Sequence, residues 1–106
     1  MIMFGRWLFS IATAGALLAP PASAETIEVT IDKLVFSPVT VNAKVGDTIE
    51  WINKDILAHT ATVKGRWDVM IPAGQSASLV VDRVESVEYY CRFHPNMKGR
   101  VAIVAP

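Results

Sequence analysis

The sequence predicts an all-β domain, a Greek-key β-sandwich or barrel of about seven or eight short strands, and three observations carry that prediction. Stretches such as Thr26-Ile27-Glu28-Val29-Thr30-Ile31 and Thr48-Ile49-Glu50-Trp51-Ile52-Asn53 alternate polar and apolar residues with a period of two, the pattern of a half-buried strand. No segment sustains an i, i+3, i+4 apolar stripe through three turns, so no helix would have a face to bury. Turn-forming residues recur about every ten positions, the spacing of a sandwich.

The elements follow in order. After the alternating Thr26–Ile31, Asp32 and Lys33 interrupt, and Leu34-Val35-Phe36 is a short extended piece ended by Pro38, which cannot donate to a ladder. Val39–Val41 is a further short strand, and Asn42–Asp47 reads as a turn in which Gly46 supplies a positive φ. Thr48–Asn53 is rich in β-branched and aromatic residues and is a strand. Lys54–Leu57 connects it to Thr60–Val63, and Trp67–Ile71 follows, its pattern the least regular. Pro72-Ala73-Gly74-Gln75 is a turn. Ser76–Val81 and Val87–Cys91 are strands, Lys98-Gly99 closes the loop after Cys91, and Arg100–Val104 is the last strand. Trp51, Trp67, Tyr89 and Tyr90 read as core and flanking residues, and Met70 as core filling.

Residues 1–24 have the order of a secretory signal: Arg6 is the only charge, Trp7–Ala19 is apolar, and Pro20-Pro21 leads into Ala22-Ser23-Ala24. The apolar run of 13 residues falls short of the roughly 20 that span a bilayer. Cleavage after Ala24 and an address in the periplasm are therefore expected, leaving one domain over residues 25–106. That domain has nine basic and ten acidic residues, a net charge of −1, once Arg6 is removed. Such a balance supplies no basic stripe for nucleic acid and nothing for a membrane surface after cleavage. A monomer is expected.

The chain has a single cysteine, Cys91, whereas small exported domains usually carry cysteines in disulfide-forming pairs. A lone thiol is a buried inert group, an intermolecular bridge or a metal ligand. Its neighbours favour the last reading. In Cys91-Arg92-Phe93-His94-Pro95-Asn96-Met97 a sulfur, an imidazole and a thioether recur at intervals of three, a donor mix suited to copper that changes oxidation state. A trigonal set of two imidazoles and one thiolate needs a second histidine, and the chain has one other, His59, 32 residues before Cys91. The fold must bring it to the loop. Zinc could occupy the same donors as a redox-silent form.

Asp47–Asn53, His59 and Tyr89–Val101 together resemble the small blue copper proteins, the cupredoxins, and within them most closely the amicyanins, over nearly the whole of residues 25–106. The resemblance implies a cupredoxin-like sandwich with one type 1 copper ion, Cu(I)/Cu(II), held by His59, Cys91, His94 and Met97, with Met97 the weak axial donor and one edge of His94 facing solvent. It also implies that Asn53, six residues before the first histidine, ties the two ligand-bearing loops together. Ala58 and Phe93 depart from the amicyanins, which have proline at both places. The function implied is one-electron transfer rather than catalysis, between an exported dehydrogenase and a c-type cytochrome that dock transiently near His94, Leu57, Ala58, Phe93 and Pro95. The alternative is a copper-binding or delivery module. An enzymatic Cys91–His94 pair lacks a legible orienting residue or oxyanion device.

Overall fold

The computed structural model describes residues 23–106; the expected signal over 1–24 lies outside the described residues apart from Ser23 and Ala24. Nine strands and no helix make up the described chain: β1 Thr26–Asp32, β2 Val35–Ser37, β3 Thr40–Lys44, β4 Thr48–Asn53, β5 His59–Val63, β6 Trp67–Ile71, β7 Ser76–Val80, β8 Glu85–Cys91 and β9 His94–Val104. They form two sheets, one in the order β2-β1-β4-β7 and one in the order β3-β9-β8-β5-β6. Two pairs, β1 with β4 and β3 with β9, are parallel. The all-β sandwich is as the alternation predicts.

Period-two alternation decides which face each strand buries. Along β4 the burial alternates strictly, with Ile49, Trp51 and Asn53 inward. Val29 and Ile31 of β1 join them, opposed from the other sheet by Val41, Ala61, Tyr89, Val101 and Ile103. Trp51 meets Tyr89 edge-on at 5.5 Å between ring centres, and Phe36 meets the same tyrosine at 4.8 Å. Such edge-to-face contacts add about 0.5–1.5 kcal/mol each beyond the area they bury. Gly99 leaves the room for Tyr89, since a Cβ there would lie 2.4 Å from the ring carbon that bears the hydroxyl.

Three local readings change. The segment from Asn42 is not all turn: Asn42, Ala43 and Lys44 pair with Ala102, Ile103 and Val104, because β9 offers its edge that far, and the turn narrows to Val45-Gly46 with Gly46 at φ +100°. Met70 is exposed, since β6 is an edge strand and only its alternate residues face inward. The last strand starts at His94 rather than after Gly99. Cys91 pairs with His94 and Tyr90 with Lys98, so β9 spends Pro95, Asn96 and Met97 in a bulge that β8 does not match.

Candidate metal centre

The bulge re-aims side chains at the end of the sandwich. Arg92-Phe93 is the hairpin tip, Cys91 and His94 flank it on adjacent strands, and Met97 turns inward to only 4% exposure. From β5, the neighbour of β8, the first residue His59 reaches the same place and is fully buried. Cys91 Sγ lies 3.7 Å from His59 Nδ1 and 3.8 Å from His94 Nδ1, and one ligand atom from each of the three residues falls within 4.8 Å of the others. The residues 32 positions apart are therefore brought together as the donor count requires.

These distances test whether a metal fits. Nitrogen and sulfur donors bound at about 2.0–2.1 and 2.3 Å lie roughly 3.7 Å apart when they subtend a trigonal angle at the ion. The observed separations match that span. His59 Nε2 is 2.8 Å from Asp55 Oδ2, an acceptor that favours the tautomer with its proton on Nε2 and the Nδ1 lone pair towards the sulfur. Donor atoms converging on one point fit a cation, and two imidazole nitrogens with one cysteine sulfur and a nearby buried thioether fit copper in particular.

The surroundings hold this arrangement from both sides. Thr60 donates its backbone N–H to Cys91 Sγ at 3.4 Å, and its hydroxyl oxygen accepts the Arg92 N–H at 2.9 Å. Thr62 Oγ1 lies 2.9 Å from Thr60 Oγ1 and 2.7 Å from Asp68 Oδ1, and Asp68 also accepts Arg92 Nε–H at 3.0 Å. These bonds form a ring that leaves Arg92 by its backbone and returns by its side chain. The Thr62 hydroxyl and then the Arg92 guanidinium hold the Asp68 carboxyl below the usual carboxylate range.

Asn53 does not span the two ligand-bearing loops. Its amide donates to Leu57 O at 2.8 Å and to Ile71 O and Pro72 O at 3.2 Å, while its oxygen accepts the Asp55 N–H at 2.9 Å. It braces the segment before His59 against the β6–β7 turn, and Thr60 makes the bonds across to Cys91 and Arg92. Asp55 and Thr60 carried no motif in the sequence. The rim also differs from expectation. A shallow depression of about 430 Å³ is lined by Leu34, Phe93, His94, Pro95, Asn96 and Met97. Leu34 was not foreseen there, and Leu57 and Ala58 do not line it. Phe93 is 48% exposed, with the Arg92 guanidinium 5.4 Å from its ring centre.

A two-sheet sandwich that collects two imidazole nitrogens and a cysteine sulfur beside a buried methionine has the architecture of a small copper protein. The cupredoxin-like domain model matches residues 1–103, and the chain belongs to that family. It is 31% identical over 99 residues to amicyanin of Paracoccus denitrificans, covering 80% of this chain and 73% of the relative. It is 33% identical over 98 residues to amicyanin-alpha of Methylorubrum extorquens, covering 85% and 82%. Among solved structures, the reduced Cu(I) form at pH 4 of an amicyanin variant superposes with a TM-score of 0.64 at 31% identity, over 85% of this chain and 89% of that one. The chain is thus a copper-dependent electron carrier of the cupredoxin family and not an enzyme.

Proposed function

We propose that this chain is an exported, periplasmic one-electron carrier in which His59, Cys91 and His94 hold the copper and Met97 is its weak axial donor. The single observation that carries this reading is the convergence of His59 Nδ1 and His94 Nδ1 on Cys91 Sγ at 3.7 and 3.8 Å. When bound, the metal supplies the Cu(I)/Cu(II) couple. The chain supplies rigidity: two donors sit on paired strands, the third on the adjacent strand, and Thr60 and Asn53 fix the backbone around them. Little movement on redox follows from that support. The amide N–H of Thr60 stabilises charge on the sulfur, which tunes the potential.

His94 is half-buried, and the exposed apolar residues Leu34, Phe93 and Pro95 share its depression. A partner docking there brings its own redox centre close to the imidazole edge. Docking of this kind buries little surface and releases readily. An exported dehydrogenase as donor and a c-type cytochrome as acceptor fit this role. The division into a cleaved signal over 1–24 and a copper domain over 25–106 belongs to the same proposal, supported by the charged, apolar and small-residue order of the leader.

Copper(II) added to the exported protein tests the reading directly. An intense visible thiolate-to-copper band should develop to one equivalent, and Cys91→Ser should abolish it. A band that survives that substitution, or a colourless complex of the unsubstituted protein, rejects the ligand assignment. Slow copper loss to a chelator from both redox states is the result expected of a carrier, as opposed to a delivery module.

A further inference from the structure

The carboxylate of Asp55 has three donors and two oxygens. Oδ1 accepts the Lys33 N–H at 2.7 Å, and Oδ2 accepts both the Leu34 N–H at 3.0 Å and His59 Nε2 at 2.8 Å. Lys33 and Leu34 are the two central residues of the β1–β2 hairpin, and both lie in the left-handed region, at φ +54° and +66°. An L-residue there costs roughly 1–2 kcal/mol, and turns of this kind usually carry asparagine or glycine. Such backbone persists where its surroundings over-determine it. Asp55 is that surrounding, and the same oxygen that holds Leu34 also faces the buried ring of His59.

We infer that Asp55 is a positioning residue for the copper: its carboxylate fixes the tautomer of His59 and strengthens Nδ1 as a donor, favouring Cu(II) and lowering the reduction potential. The inference rests on the proposed ligation by His59. A histidine ligand commonly donates its second N–H to a carboxylate, a carbonyl or water, and the acceptor matters. A carboxylate carries full negative charge, so it stabilises positive charge developing on the imidazole more than a neutral carbonyl does. Its side chain is 12% exposed, so little water screens that charge. No backbone carbonyl could also serve the hairpin, because only an acceptor with two oxygens can meet three N–H groups from two directions. Leu34, which this carboxylate holds, lines the depression beside His94. Asp55 therefore joins the wall of that depression to the ligand.

Asparagine separates orientation from charge. In Asp55→Asn the amide oxygen can keep His59 and Leu34, while the amino group meets the Lys33 N–H without an acceptor. Copper-loaded Asp55→Asn should bind Cu(II) about 10–100-fold more weakly. Cu(I) affinity should fall less, and each tenfold of preferential Cu(II) loss appears as a rise of about 59 mV in potential. Nitrogen-15 spectra of the reduced, diamagnetic wild-type protein give a readout that needs no variant. The His59 Nε2 proton should be visible and protected from exchange, and in Asp55→Asn it should move and exchange faster. An unprotonated or freely exchanging Nε2 in wild type overturns the inference even if the variant does not fold. So does an unchanged potential with an unchanged ring proton in a folded variant. His59→Ala separates this failure from that of the ligand assignment. If His59→Ala retains the wild-type visible spectrum, histidine ligation itself fails; if the band is lost while Asp55→Asn changes nothing, only the role of Asp55 fails.

Discussion

Strand β4, Thr48–Asn53, has a carboxylate just outside each end, Asp47 before it and Asp55 after it, and the two do related work with different consequences. Asp47 is buried and accepts the N–H groups of Lys44 at 2.8 Å and Glu25 at 2.9 Å, fixing the turn into β4 and the start of β1. Asp55 fixes the hairpin of Lys33 and Leu34 in the same way. Each is a short side chain replacing a turn's missing acceptors, the ordinary use of aspartate near strand ends. The third donor makes the difference. At one end the hydrogen bonds go to backbone N–H groups, with the Lys44 ammonium 3.9 Å from one oxygen; at the other, a buried imidazole shares the same oxygen, so the turn and the proposed metal donor rest on one carboxylate.

The largest expected effect asks whether loss of stability by itself disturbs the metal. Ile49 is fully buried at the Asp47 end of β4, and Ile49→Ala should cost about 2–5 kcal/mol in urea unfolding. The visible band and the potential of the molecules that remain folded should be unchanged. If the potential moves, the two ends are not separable; Ile49→Val, costing about 0.5–1.5 kcal/mol, keeps the test available should the first variant be too unstable to load.

Asp47→Asn comes next, and its pH dependence sharpens the contrast. The N–H groups of Lys44 and then Glu25 hold the Asp47 carboxyl below its ordinary value, against the opposing effect of burial. A carboxyl with a depressed folded-state pKa adds stability that is complete above its unfolded pKa of about 3.9 and is lost as pH falls through the lower, folded value. The melting temperature of wild type should therefore exceed that of Asp47→Asn at neutral pH, and the gap should close in acid. The spectrum at neutral pH should be the same in both. A gap that widens on acidification contradicts the assignment of the lowered pKa.

Much of this was legible in the sequence because it repeats a local rule. The alternation of Thr26–Ile31 and Thr48–Asn53 states which residues face inward, and the three-residue spacing of Cys91, His94 and Met97 marks a candidate donor loop that only His59, from elsewhere in the chain, can complete. The bulge in β9 was hidden, because Pro95 and the ligands interrupt the alternation that extends to His94 only in the folded register. Lys33-Leu34 gave no sign of a left-handed turn, since neither residue is the glycine or asparagine that marks one. What stabilises it is Asp55, more than twenty positions away, as Thr60 is from Cys91. Bonds between distant side chains and backbone have no period, so the fold and the candidate donors could be read while Asp55 and Thr60, which bond to His59 and Cys91, could not.

The smallest effect on stability is expected at the hairpin that Asp55 holds. Leu34→Gly removes an exposed side chain and relieves the left-handed strain, while glycine adds freedom to the unfolded chain. These contributions oppose each other, so the net change in unfolding free energy should stay within about 1 kcal/mol. The Asp55 bonds are to backbone N–H groups and survive the substitution, so the visible band and the potential should be those of wild type. The apolar wall beside His94 is lost, however, and electron self-exchange between oxidised and reduced copies, read from NMR line widths, should slow. Unchanged self-exchange would show that the face lined by Leu34 is not where electrons leave. A shifted potential with normal stability would show that the Leu34 side chain, and not the carboxylate beneath it, sets the environment of the copper.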